Sequence, residues 1–472
     1  MTVNLSSVSE EYVESLAAGE PSWFGSMRKK ALSQYQSLPA EVSPLYSKYS
    51  DVNKIKPESV HFSGTEESRE PAISKELADR LKELEQGTGI LQAGKTIKIF
   101  VRDDLSKRGV VVTSIKDALE SHGDLLKSRM ETNPLNYLED KFIALEASTC
   151  QSGAFIYIPR NVVLEDPIRI VTSLADDGSS MVSRNIVFAD VGSKSTVVQE
   201  VYAPGSSGKQ DVQQGYFELV ETHVNPNAHL EMVTLQAMAT DTVNVSNRKA
   251  FVERDGKMSW YIGMFGSLLS RYKTDSIMKG SGASAEDVEI IFGASTQSFD
   301  VTSNLVHLGQ HSRGRVLVKS VLKDTAKSLF KGMIKIGKDG KGTESYLASH
   351  AILLDRGAKS DSIPGLEIET NEVRATHAAS VAQMDENQIY YLLTRGLSRE
   401  GAKREIVAGF LEPLSRKMGP TIRAWVNYLI ENKWQGKPLM LRTDEAMEQI
   451  LEVEKSRYRE TQDIFEKHYK YR

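Results

Sequence analysis

The 472 residues contain a single cysteine, Cys150. That count excludes an internal disulfide, a zinc ribbon, and any metal cluster held by several thiolates of this chain alone. Aromatic residues make up only 7% of the chain, few for a surface that stacks sugars. No stretch approaches the roughly twenty apolar residues of a membrane helix. The opening Met1-Thr2-Val3-Asn4-Leu5-Ser6 lacks the basic-then-apolar order of a secretory leader, so a cytoplasmic protein is expected. A net charge of −4 gives no global attraction to nucleic acid or anionic membrane. Arg313, Arg315, Lys319 and Lys323 add local positive charge without interleaved aromatics, which suits a solvated β face better than a nucleic-acid site. There is no Gly-x-x-x-x-Gly-Lys-Ser/Thr loop, so ATP is not bound by that route.

What is present is an ordinary folded composition, 40% apolar and 26% charged. The length exceeds one compact core, so two or three units are expected. Residues 1–95 read as an N-terminal helical domain. Ser7 with Glu10 makes a capping box ahead of Tyr12, Val13 and Leu16, and Gly19 stops that helix. Trp23, Met27, Ala31 and Tyr35 recur at helical spacing until Leu38-Pro39. A third helix is expected from about Ser74 to Glu85.

From Thr96 the pattern changes to strands, with a helical interlude over about Ile115 to Met130. Lys141-Phe142-Ile143-Ala144-Leu145 and Gly153 to Pro159 are read as strands. Between about 150 and 370, short β-rich runs alternate with polar turns such as Asn225-Pro226-Asn227-Ala228, Asp255-Gly256-Lys257 and Asp324-Thr325-Ala326. Most recur at roughly 30 residues, the period of a coil in which each rung buries its apolar face against its neighbours. A parallel β-helix fits this spacing, and a β-sandwich is the competitor. Residues 96–384 are therefore assigned to a β-helix core with an α/β entry. Residues 385–472 are assigned to a C-terminal helical domain with segments at Glu386–Thr394, after Ser398, after Pro420 and after Thr443.

One stretch joins the last two regions. It contains Pro364, Leu366-Glu367-Ile368, Val373, His377, Ala379, Gln388, Tyr390-Tyr391-Leu392 and Arg395-Gly396. This order closely resembles the C-terminal signature of the SufB/SufD family of iron–sulfur cluster assembly proteins. Trp23, Arg28, Ala31 and Leu38-Pro39 also resemble that family's N-terminal region, and Gly153 to Pro159 with Val163 and Pro167 its entry into the β region. The resemblance implies a mainly β fold, a right-handed parallel β-helix flanked by helical domains.

It also implies function. His377, among small residues, stands where SufD-type members place a histidine implicated in the nascent cluster site at the SufB–SufD interface. Glu367 and Glu372 are weaker candidate ligands. In SufB-type members a cysteine lies six residues before the proline, a position held here by Ala358, and a glutamate follows the motif histidine, where this chain has Ala378. The chain is thus expected to be SufD-like: it neither accepts persulfide sulfur nor acts as sole scaffold, and it shares a transient cluster with a SufB-like paralogue or a second copy of itself. The C-terminal helices are expected to dock a SufC-like ABC ATPase through Tyr390, Leu393, Arg395, Ile406, Phe410 and Leu411. No motif supports a flavin, and Cys150 reads as a buried inert thiol. Two rival readings are a β-helix carbohydrate-active enzyme with paired carboxylates and a structural β-helix homodimer without metal.

Overall fold

The computed structural model describes residues 3–62, 75–94, 96–174, 178–205, 211–437, 439–441 and 446. Met1–Asp385 forms one compact unit and Glu386–Arg472 a second. The first unit begins with β1 (Val3–Asn4), α1 (Glu10–Ala17), α2 (Ser22–Ser37), β2 (His61–Phe62) and α3 (Lys75–Glu85). Then come β3 (Gly89–Ala93), β4 (Thr96–Phe100), α4 (Asp103–Lys107) and β5 (Val111–Ser114). Three helices follow, α5 (Ile115–Ser121), α6 (Gly123–Thr132) and α7 (Lys141–Thr149).

The remainder of the unit is a two-sheet parallel β-solenoid of about 8 turns. Its strands are β6 (Ala154–Ile158), β7 (Ile168–Ser173), β8 (Met181–Ala189), β9 (Lys194–Ala203), β10 (Gly215–Val224) and β11 (His229–Met238). They continue with β12 (Val243–Val252), β13 (Lys257–Met264), β14 (Leu269–Met278), β15 (Ser284–Gly293) and β16 (Ser298–His307). The last five are β17 (Arg313–Leu322), β18 (Lys327–Ile336), β19 (Glu344–Leu353), β20 (Lys359–Ile368) and β21 (Arg374–Gln383). Even-numbered strands stack in one sheet, in the order β20-β18-β16-β14-β12-β10-β8-β6-β5. Odd-numbered strands stack in the other, β21-β19-β17-β15-β13-β11-β9-β7-β3-β4. Within the solenoid every pairing is parallel; only β3–β4 and β5–β6, at its N-terminal end, are antiparallel.

Alternation explains how each strand divides its side chains. On β12, Ala250 and Val252 point into the lumen, where they share a core with Trp260, Val316 and Leu347. Val243 and Val245 point outward and pack into a second core built with α1, α2 and α7. Strands such as β10 and β12 are therefore buried on both faces. Each large apolar side chain of the lumen removed from water stabilises by roughly 1.5–3 kcal/mol. Rung corners use left-handed backbone at Asn227, Asp255 and Asp324, residue types that tolerate it. Gly282 is confined to glycine twice over: its φ is +72°, and a Cβ there would lie 2.2 Å from Asp255 Oδ1.

The N-terminal segment is bound to the even-numbered sheet by polar contacts as well. Asn247 donates to Glu146 Oε2 on α7 (2.9 Å), Lys249 pairs with Glu139 (2.6 Å), and Arg271 pairs with Asp140 (2.6 Å). Farther along, Ser50 reaches Asp300 (2.8 Å) and Lys54 reaches Ser298 (2.6 Å). His223 is stacked between Phe188 and Phe251, and burial pushes its pKa down to about 3, so the ring is neutral. Arg28, part of the N-terminal motif, is buried; it bonds Glu20 and donates to the Ser148 and Cys150 carbonyls. Cys150 itself is buried.

Several local expectations differ from the structure. Lys141–Leu145 is helix, not strand: Asp140 caps it through Phe142 N (2.8 Å), and Phe142 to Thr149 are buried all round. A continuous apolar run of that length carries no period to separate the two states. Ser9 rather than Ser7 caps α1, and the helical interlude breaks at His122. The first 95 residues also supply β3, which pairs with β7 inside the solenoid.

The second unit contains α8 (Glu386–Leu393), α9 (Arg399–Ser415) and α10 (Pro420–Gln435). Ser398 caps α9 through Gly401 N, and Gly436 ends α10 in the left-handed conformation. Arg404 on α9 forms an ion pair with Glu431 on α10. The helix expected after Thr443 lies outside the described residues.

Candidate functional site

Among the described residues no strand follows β20 and β21 in their sheets. β20 and β21 are the last strands of their sheets, and each pairs on one side only among the described residues. The outer edge of each carries a row of main-chain donors and acceptors. Edges of this kind are ordinarily covered or paired. Leu366, Ile368 and Val381 are 41%, 42% and 46% exposed at this end, whereas lumen residues one rung inward are buried.

Register places the motif residues on that rung. Trp260, Asp287, Val316, Leu347 and His377 are successive partners down one column of the odd-numbered sheet. Leu347 faces the lumen, so His377 continues the lumen-facing column at its open end, where its side chain is exposed. Ala375, two residues before on the same face, packs on the lumen core. Leu366 and Ile368 align with Ile334 and Ile336, which likewise line the lumen. The last rung thus presents one imidazole set among apolar side chains, with unpaired strand edges beside it.

The two carboxylates are not on that surface. Glu367 alternates to the outer face of β20 and pairs with Lys335 (2.6 Å). Glu372 sits in the turn between β20 and β21 and pairs with Lys341 (3.1 Å). Both ion pairs are exposed and contribute little to stability. No cluster of three or more His, Cys, Asp or Glu suited to a metal ion occurs among the described residues. Ala358 is buried in the lumen core, and Ala378 lies on the outward face of β21.

The residues expected to meet an ATPase divide by exposure. Tyr390 is 69% exposed and Arg395 is exposed, donating to the Tyr391 hydroxyl (2.8 Å). Leu393, Ile406 and Phe410 are half-buried, and Leu411 is buried.

Sequence patterning did not reveal the polar interior. Arg248, fully buried in the lumen, donates to Glu218 Oε1 (2.5 Å), Gln199 Oε1 (3.1 Å), Thr234 Oγ1 (2.6 Å) and Ser246 Oγ (2.9 Å). Glu218 also accepts from Gln199 (2.5 Å), Ser246 (2.6 Å) and Tyr216 (3.1 Å). Its signal was a charged residue at an inward position, on a strand face shared with Ala250 and Val252 in β12 and with Val220 and Val224 in β10.

Comparison with known proteins agrees with this architecture. Residues 171–410 match the model of the SUF system FeS cluster assembly SufBD core domain, and residues 4–170 that of the SufBD protein N-terminal region. An iron–sulfur cluster assembly SufBD family protein of Staphylococcus saprophyticus is 27% identical over 431 residues, 88% of this chain and 90% of the relative. Relatives from Staphylococcus epidermidis and Staphylococcus haemolyticus, described in the same words, are 26% identical over 430 and 428 residues, with the same shares covered. With a solenoid of this topology and both regions matched from residue 4 to 410, the chain belongs to the SufBD family of iron–sulfur cluster assembly proteins.

Proposed function

We propose that this chain is a non-catalytic, SufD-like subunit of the assembly machinery. It joins a SufB-like partner through the open end of its solenoid and recruits a SufC-like ABC ATPase through its C-terminal helices. The observation that carries this reading is the last rung: two strand edges unpaired among the described residues, exposed Leu366, Ile368 and Val381, and His377 on the same surface. A second solenoid end laid against it would pair those edges and bury those side chains, as in other strand-addition interfaces. His377 then lends an imidazole nitrogen to a cluster that is cargo shared between the subunits. Alanine at 358 and 378 leaves the thiolate and carboxylate to the partner. ATP-driven closure of the ATPase moves the helices and shifts the populations of closed and open interface, which gates cluster formation. The complex works in the cytoplasm, and a flavin enters no step of this reading.

Anaerobic co-expression with a SufB-like protein and an ABC ATPase tests it, with iron and sulfide measured in the purified complex. His377→Ala is expected to lower cluster yield while complex formation and folding persist. Equal yield removes the ligand role. A chain that forms only homodimers and never captures the paralogue favours the self-paired form.

A further inference from the structure

The lumen holds a second buried polar cluster, three strands inward from His377 and about 14 Å away at the usual strand spacing. Asp287 and Glu289 stand two residues apart on β15 and both face the interior, in register with Trp260 and Ile262. They are 1% and 0% exposed. Ser303 on β16 donates to Glu289 Oε1 (2.9 Å). Glu289 Oε2 and both Asp287 oxygens have no hydrogen-bond partner. Thr274 on β14 is the register neighbour of Ser303 and faces the same interior. It too is buried, and its Oγ1 is without a partner. The nearby Arg248 is committed to Glu218, Gln199, Thr234 and Ser246.

Two carboxylates taken out of water with a single serine donor between them, and with Arg248 committed to other partners, are costly, and such groups keep a proton or hold a cation. The donor set decides which cation. It is all oxygen, two carboxylates with hydroxyls beside them, and no third carboxylate, histidine or cysteine joins it among the described residues. Soft metals are disfavoured by that set. A small hard divalent ion suits it, since such ions are commonly bound by one or two carboxylates with water completing the shell. We propose that Asp287 and Glu289, with Thr274, form an interior site for a hard, oxygen-ligated divalent cation of the magnesium or manganese class. The ion ties β15 of one sheet to β14 of the other and does not depend on the role of His377.

The test uses the full chain stripped with chelator and titrated with Mn²⁺, with free Mn²⁺ followed by electron paramagnetic resonance and thermal melting recorded in parallel. One Mn²⁺ per chain is expected, with a melting temperature that rises as the site fills. Asp287→Asn/Glu289→Gln should abolish binding, Thr274→Val should weaken it about tenfold, and His377→Ala should leave it unchanged. Wild-type protein that takes up no Mn²⁺, or a folded double variant that binds it as the wild type does, overturns the site. Should the double variant fail to fold, the wild-type stoichiometry and the Thr274→Val titration decide. Absence of binding with a stability that rises on acidification assigns the pair to a shared proton instead.

Discussion

Replacing Arg248 by methionine tests whether the solenoid interior is held by charge or only by burial. Methionine keeps most of the side-chain volume and removes the guanidinium, so four hydrogen bonds vanish, to Glu218, Gln199, Thr234 and Ser246. Two aromatic faces, Trp260 and Tyr272, lose the cation that lies 5.8 and 5.3 Å from their centroids. Removing one partner of a buried ion pair costs about 3–5 kcal/mol. Glu218 still accepts from Gln199, Ser246 and Tyr216, which places the loss near the lower end, about 3 kcal/mol. Adding Glu218→Leu removes the orphaned charge and should restore most of the loss. Urea unfolding of the β signal measures this. A loss under about 1 kcal/mol, or a double variant no better than Arg248→Met, would refute the network as a coupled unit.

Four further outcomes follow from particular contacts. In chelator-stripped protein, burial raises Asp287 to about 7 and Glu289 well above the usual range, and the Arg248 charge opposes this only in part. The native state then keeps protons the unfolded chain has lost, so stability should fall from about pH 4 to pH 7, and Asp287→Asn/Glu289→Gln should flatten that slope in pH-dependent melting. Val381→Lys changes a side chain that is 46% exposed, so the isolated chain should keep its stability within about 0.5 kcal/mol while association with a solenoid partner is lost in size-exclusion chromatography. Gly153→Ala sets a Cβ at 1.8 Å from the Arg184 carbonyl oxygen with φ at +145°, and a loss of several kcal/mol, on the order of a severe backbone clash, should appear as a lower melting temperature or insoluble protein. Burial pushes Glu146 well above the usual carboxylate range although Asn247 donates to it, so Glu146→Gln, whose amide oxygen can accept the same bond, should leave the melting temperature near-unchanged at neutral pH.

The solenoid was legible because its cause is periodic. Polar turns at Asn225–Ala228, Asp255–Lys257 and Asp324–Ala326 mark corners where the chain must adopt left-handed backbone, and such residues announce themselves locally. His377 was legible as a residue but not as a place. Its meaning comes from standing at the open end of a column that runs from Ile168 through Val197, Met232 and Trp260, a relation set by strand register across the whole solenoid. Glu367 and Glu372 were drawn to it by sequence proximity alone; the alternation of β20 sends the first outward to Lys335, and the turn gives the second to Lys341. Lys141–Leu145 failed for a related reason, since burial on every side erases the pattern that distinguishes helix from strand. Arg248 and Glu218, thirty positions apart, met across paired strands of adjacent rungs, so no local window holds both. Inward charges in β-rich runs are therefore the useful warning: at Glu218, Arg248, Asp287 and Glu289 the strand face that must be buried carries a group that cannot be buried alone. Arg248 and Glu218 meet that demand for each other. Asp287 and Glu289 leave three oxygens without a donor, and the polar interior remains incomplete there until a proton or a cation is supplied.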